Sequence, residues 1–434
     1  MTAEIQAEAG RGAENLPNGI REWYRRYADS TWKSIDAMIY PRTGLPADQL
    51  HYHAEDEGRQ EKTSRIDKTS PTNIGFSLAC TGAATAMGFI TSAEAGRRID
   101  RTLATITDLM QDPEVFIPTG ENKGLFINWI QPSTGKVLRR WPGSETPVKQ
   151  QVSTVDNAWL IAFSKLISAQ FPQYKEKIQC LLDRIDLPFM LDNQTGFFHG
   201  CYALDPPGFE SWQYNVISEA RIAYLICGEN PAQLMGNLIN HKSERSVFVD
   251  STGKCGRATW DGELFECFWP QLVWDEGRLN PHWGSTSAAT VQMQKDYGTK
   301  YNGGHYGYSA GLDPNGQYRE FRVPDTGESK AEYMFQPVVT ISALVSMGLV
   351  EPVETHAALQ RLHREFPHLT HIYNGDGDTV NTQTGAVQRD QLLPNQATSL
   401  MTCWNIVKNG EPRELFMGVT PASVAEIYKR YPLW

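Results

Sequence analysis

Cysteine is sparse and scattered: the seven residues, at 80, 180, 201, 227, 255, 267 and 403, are odd in number and include no C-x-x-C pair. That pattern argues against a disulfide framework and a structural zinc site, and it fits a reducing compartment, so the expected location is cytoplasmic. Basic charge is also short, since 40 Lys and Arg face 50 Asp and Glu for a net charge of -10. A phosphate backbone or an anionic membrane is repelled by that balance, so neither nucleic acid nor membrane is an expected partner. Apolar runs fall well short of the ~18 residues that a span requires, and the stretch Met1–Asn18 lacks the basic and apolar regions of a signal peptide. The phosphate-loop string G-x-x-x-x-G-K-S/T and the zinc-protease string H-E-x-x-H are missing. Nucleotide and zinc-protease readings are set aside on that ground, and a serine-hydrolase reading with them. His363, His368 and His371 do not follow a ligand spacing, so neither a metal nor a cofactor is expected.

Helical periodicity is what the chain has in quantity. Ala95, Ile99, Leu103, Ile106 and Met110 make one stripe at steps of three and four, and Thr91 with Glu94 forms a capping box ahead of it. Ser70-Pro71 places a cap and an N1 proline before a run of small and apolar residues, predicting a helix buried on most faces and packed closely. Further helices are predicted at about 19–38, 153–170, 174–187, 211–228, 230–240, 262–274, 286–297, 330–348, 351–364, 395–409 and 421–431. Long loops rich in Gly, Pro, Asn and Asp separate them, and no change of composition divides the chain. Roughly a dozen paired helices with such loops predict an all-α (α/α)6 toroid whose loops build a central cleft. A flexible segment over 1–18 would precede a single domain over 19–434.

Twelve Trp and seventeen Tyr stand in a sequence that also places acids beside them. A flat ring stacks on the C–H face of a pyranose while carboxylates and amides bind its hydroxyls, so this combination suits a sugar site. Rings in acidic surroundings include Trp129, Trp141, Trp159, Trp212, Tyr214, Trp260 and Tyr308. Four acidic strings carry candidate chemistry. Glu219 and Arg221 lie in Ser218-Glu219-Ala220-Arg221 beside an apolar helical run, and a Glu in an apolar wall has the raised pKa of a general acid. Glu263 and Glu266 sit one helical turn apart and share a face. Asp156 occupies the third position after Ser153, as in a helix cap, next to Asn157 and Trp159. The loop after His305 holds Asp313 in an Asp-Pro-Asn-Gly turn, with Tyr308, Tyr318 and Glu320 around it.

These same strings resemble the glucoamylase-like domains of cyclic β-1,2-glucan synthases and the related endo-β-1,2-glucanases. They are KTSPTNIGFSLACTGAATAMGFIT (68–91), VSTVDNAWLIA (152–162), YNVISEARIAYLI (214–226), TWDGELFECFWPQLV (259–273), YGYSAGLDPNGQYREFRVP (306–324) and DQLLPNQATSLMTCWNIVKNGEPRELFM (390–417). Together, in the family's order, they cover about residues 20 to 420. The resemblance implies an (α/α)6 barrel acting on β-linked glucans without a metal. It implies Glu219 as general acid, through the S-E-A-R string, and a second carboxylate from Asp313, Glu263, Asp156 or Glu266. Substrate contacts would come from Arg221, Trp159, Trp212, Trp260, His305, Tyr308, Tyr318 and Glu320. Where the synthase pattern carries a Glu in W-G-I-S-E-S, this chain has Tyr308-Ser309-Ala310, which points to the hydrolytic form and to inversion. Two alternatives stay open: a lyase, phosphorylase or epimerase on the same barrel, or a glycan-binding protein without chemistry. Oligomeric state, linkage and endo or exo action are not readable from the residues.

Overall fold

The computed structural model describes residues 16–53, 62–227, 230–371 and 375–430, so most of the expected flexible segment over 1–18 lies outside the described residues. The helices in chain order are α1 (Asn18–Met38), α2 (Pro71–Ala86), α3 (Ser92–Leu109), α4 (Thr154–Gln170), α5 (Lys175–Leu182), α6 (Arg221–Ile226), α7 (Pro231–Asn240), α8 (Leu264–Phe268), α9 (Glu276–Leu279) and α10 (Pro281–Tyr301). They continue as α11 (Ile341–Ser346), α12 (Pro352–Glu365), α13 (Leu393–Val407), α14 (Glu411–Gly418) and α15 (Ala422–Arg430). Helix α2 packs between α4 and α13, α13 also packs on α1 and α11, and α4 packs on α6. The last long helix, α13, thereby returns to the first two, and early and late segments of the described chain join in one packed framework.

Local chemistry sets these helices where the spacing predicts them. Ser70 caps α2, its hydroxyl accepting from Asn73 N at 3.3 Å, and Thr91 caps α3 through Glu94 N at 3.2 Å. Nearly every residue of α2 is buried, as its small side chains predict. Gly75 explains how closely α2 approaches α4: a Cβ there would stand 2.9 Å from the Trp159 carbonyl oxygen. One continuous apolar core runs from Leu16 and Tyr24 through Trp159, Trp274 and Trp404 to Tyr428.

The all-α expectation needs correction, because small sheets are built into the loops. Gln49–His53 pairs antiparallel with Lys62–Ile66 and also with Gln391–Leu392, and Gly311–Leu312 pairs with Tyr318–Arg319. Of the predicted helix over 330–348 only Ile341–Ser346 is helical, since Val338–Thr340 instead pairs with Thr379–Asn381. The segment 211–228 starts as a strand, Gln213–Tyr214 paired to Phe198 and His199, and becomes helical only at Arg221. Pro270 ends the helix expected over 262–274 after five residues, as a ring that removes the backbone donor does. Among the described residues no helix is long and apolar enough to cross a membrane.

Candidate active site

Several helices begin around a common depression. The first two turns of α2 (Thr72, Asn73), α4 (Val155, Asp156, Trp159) and α13 (Pro394) line a cavity of about 470 Å³, with Phe265 of α8, Trp269 just past its end, Asp48, Lys68, Trp129, Trp141 and Tyr318. Helix N-termini direct unpaired N–H groups and partial positive charge to the space they face, which favours carboxylates and polar oxygens. A second cavity of about 600 Å³ is lined by Trp212, Tyr214, Trp260, Asp261, Glu263, Glu266 and Glu320. Glu219 and Phe265 belong to both walls. The result is a two-part cleft with one carboxylate at its junction.

Glu219 stands there because the chain turns sharply between the strand Gln213–Tyr214 and α6, with Ser218 Oγ accepting from Ala220 N at 3.2 Å. Arg221 secures the turn from behind. Its guanidinium pairs with Glu276 at 2.6 Å and donates to the carbonyl oxygens of Ser218 at 2.7 Å, Glu266 at 2.8 Å and Cys267 at 2.5 Å. The arginine thus ties the Glu219 turn to α8. Burial pushes the Glu219 carboxyl up to about 7, against the opposing pull of its own backbone N–H and of the Arg221 charge. An acid with that value is protonated in a large part of its population at neutral pH and can give its proton to a leaving oxygen.

The neighbouring carboxylates are held differently. Glu266 Oε2 accepts from Thr259 Oγ1 at 2.8 Å and from the N–H groups of Asp261, Gly262 and Glu263 at 3.1, 3.0 and 3.2 Å. Gly262 makes that cradle possible, having φ of 84° and a Cβ position that would meet Val323 O at 2.3 Å. Burial, and then the Glu219 charge, nevertheless push Glu266 up to about 8, so the two glutamates titrate as a pair that retains protons near neutrality. Glu263 is 5% exposed and its Oε1 has no hydrogen-bond partner. Burial and the charges of Glu266, Glu320 and Asp261 raise it well above the usual range. Asp156 is raised by burial too, but the hydroxyls of Thr72, Ser153 and Ser70 favour its charged form. Beside it, Asn128 oriented to donate to Asp156 accepts from the Trp129 indole N–H at 3.2 Å.

The structure brings Glu219, Glu263, Glu266, Asp156, Trp159, Trp212, Trp260, Tyr318 and Glu320 to the cleft. Trp212, Trp260 and Tyr318 are 46%, 53% and 60% exposed, so their faces on the concave wall are available to stack on a ligand. Trp159 is a buried wall whose indole N–H lacks a partner. Four expected residues are elsewhere. Asp313 closes its own turn, accepting from Asn315 N at 2.9 Å and Gln317 N at 3.0 Å and pairing with Arg319 at 3.3 Å. Arg221 is buried against Glu276, Tyr308 is fully buried with its hydroxyl donating to His305 O at 3.1 Å, and His305 lines a separate cavity of about 310 Å³ with Arg361. The neighbours of His305, Tyr308 and Asp313 are polar and glycine-rich for reasons of turn geometry, which mimics a site.

Sequence reading omitted Asp48, Lys68, Phe265 and Trp269, and it noted Trp129 and Trp141 without placing them. Lys68 Nζ pairs with Asp48 at 3.0 Å and lies 5.4 Å and 5.6 Å from the Trp129 and Trp141 ring centres. Asp48 follows a Leu-Pro-Ala turn with no motif around it, so only the fold reveals it. A G-x-S-x-G string does occur, at Gly307–Gly311, but Ser309 is buried and its hydroxyl accepts from Phe265 N at 3.1 Å. It lies away from any strand-to-helix elbow and carries no nucleophile.

No family model and no curated protein matches the sequence. An endo-β-1,2-glucanase from Chitinophaga pinensis, solved with sophorotriose and glucose, aligns with a TM-score of 0.69 at 13% identity over 94% of this chain and 97% of its own. The endo-β-1,2-glucanase of Talaromyces funiculosus, solved with sophorose, gives 0.66 at 11% identity over 98% and 92%. A D-mannose isomerase gives 0.54 at 12% identity over 91% and 100%. Bacterial and fungal glucanases are thus matched from end to end while almost every side chain differs, and the chain has the fold that endo-β-1,2-glucanases share.

Proposed function

We propose that the protein is a glycoside hydrolase of (α/α)6 toroid architecture that cleaves a β-linked glucan, with β-1,2-glucan as the first substrate to test. The observation that carries this reading is a protonatable glutamate, Glu219, at the junction of a cleft whose two halves hold exposed aromatic plates. A junction with binding space on both sides suits an internal bond of a chain better than a lone monosaccharide. Glu219 protonates the leaving oxygen. Asp156, whose hydroxyl partners favour its ionised form, activates water from the other side. Inversion follows from that division of labour, and carboxyls about 6.5–9.5 Å apart leave room for the water.

The test is release of reducing ends from linear β-1,2-glucan beside β-1,3, β-1,4, β-1,6 and α-linked controls, with the product anomer followed by NMR. Cleavage of the β-1,2 polymer to the inverted anomer supports the reading. An unsaturated product, a sugar phosphate, or an isomerised monosaccharide would move the protein to another sugar chemistry on the same fold, and binding without turnover would make it a glycan-binding protein. The aromatic plates give a second expectation. Replacing Trp212 or Trp260 by Ala raises KM about 3- to 10-fold with kcat little changed, as loss of one stacking surface predicts. A fall in kcat alone would assign these rings to the framework.

A further inference from the structure

Gly200 stands buried at a bend between two strands, Phe197–His199 and Cys201–Leu204. Its backbone is tied on both sides. The N–H donates to the Trp212 carbonyl oxygen at 3.2 Å, and the carbonyl oxygen accepts at 3.1 Å from the N–H of Thr154, the first residue of α4 and two positions ahead of Asp156. The Thr154 hydroxyl adds a bond to the His199 carbonyl oxygen at 2.5 Å. One residue thus joins Trp212 in the larger half of the cleft to the helix that carries Asp156 in the smaller half.

What this position lacks is a side chain. A Cβ on Gly200 would lie 2.0 Å from both Cη2 and Cζ2 of Trp212 and 2.3 Å from Cζ3, where an ordinary carbon contact needs about 3.5–4.0 Å. The far end of the indole therefore rests on bare backbone. Gly200 is not among the residues with positive φ, so its backbone conformation is open to other residues and space is what requires the glycine. The Tyr214 ring meets the indole edge-on at 5.0 Å, and the half-exposed indole looks onto the cavity of about 600 Å³. An indole pushed off Gly200 has that cavity to move into. We propose that Gly200 is a positioning residue of the cleft: it seats the Trp212 plate against the wall of the larger half and keeps the space in front of the plate free for a sugar unit. The sugar rests on reading the cleft as a glycan site, whereas the seat does not.

Gly200→Ala, Trp212→Ala and the double variant test it. In protein labelled with indole-15N tryptophan, the Trp212 N–H resonance is the one lost in Trp212→Ala, and in Gly200→Ala it moves more than any other indole resonance. On linear β-1,2-glucan, Gly200→Ala raises KM by about 3- to 10-fold with kcat little changed, the effect expected for loss of the plate itself. In the Trp212→Ala background the same substitution changes KM by less than about twofold, because the two residues act through one contact. A Trp212 resonance that stays in place overturns the proposal, and so does a KM effect of equal size with and without the indole. Should Gly200→Ala fail to fold, the double variant decides: a fold recovered by removing the indole supports the steric seat, and one that stays lost overturns it. The spectrum needs no substrate, so the two readings fail separately. If no glucan is turned over, the hydrolase reading falls while a displaced resonance upholds the seat; turnover with an unmoved Trp212 resonance sinks the seat alone.

Discussion

Replacing Glu219 by Gln lowers kcat on the cleaved glucan by about 10²- to 10⁴-fold, the range that a positioned proton donor contributes, and leaves circular dichroism unchanged. The amide keeps the shape and the hydrogen-bonding capacity but has no proton to give. The pH profile carries the same information. With Glu219 as the proposed acid and its carboxyl at about 7, kcat/KM is expected to fall as pH rises through that value, with the Asp156 carboxylate setting the limb on the acidic side. Asp156→Asn removes that acidic limb and leaves the alkaline one. Stability falls along the same alkaline limb as activity. The folded state holds a proton on Glu219 at a pH where the unfolded chain has lost it, so the group's contribution is present at low pH and is lost as pH rises through about 7. Glu219→Gln is therefore more stable than the unmodified protein at pH 8 and gains little at pH 5, a difference that thermal unfolding at the two values measures. Turnover within threefold of the unmodified protein would exclude Glu219 as the acid.

That prediction rests on a residue that the sequence made visible, and the reason is physical. A Glu and an Arg two positions apart, against an apolar helical run, are costly to bury unless the fold has a use for both. The stripe of α3 and the Ser70 and Thr91 caps were legible because helix periodicity and capping are local rules. What the sequence concealed depends on contacts far apart in the chain. Asp48 and Lys68 meet Trp129 and Trp141 because Asp48 N donates to Lys68 O at 2.7 Å and Thr69 exchanges backbone hydrogen bonds with Ile130 at 2.8 and 2.9 Å. The strands at Gln49–His53 and Val338–Thr340 take their partners from residues 391–392 and 379–381, and no local pattern announces such pairing. Asp313 shows the reverse error: an Asp before Pro-Asn-Gly beside tyrosines reads as a site, yet its oxygens are consumed by the turn it makes. Pairs of groups with separate duties look alike in sequence when each needs burial, and Glu219 and Arg221 are the instance.

Arg221→Met should destabilise the fold by about 3–5 kcal/mol, the cost of leaving one member of a buried ion pair uncompensated. Arg221 and Glu276 are each 1% exposed, and after the substitution Glu276 keeps only the Tyr428 hydroxyl at 3.0 Å of the partners described here. For a chain of 434 residues an unfolding entropy near 2.1 cal/mol/K per residue turns that loss into a fall in Tm of roughly 3–5 °C, provided the chain unfolds as one unit. The double variant Arg221→Met/Glu276→Met recovers most of it, because removing both charges abolishes the desolvation cost along with the attraction. Activity should not recover in parallel. The guanidinium also holds the carbonyls of Ser218, Glu266 and Cys267, and a thioether holds none of them. In the double variant the acid sits on a turn no longer tied to α8, so kcat stays low at restored Tm. Recovery of both together would mean that the pair serves stability alone and that the Glu219 turn is positioned by its own backbone.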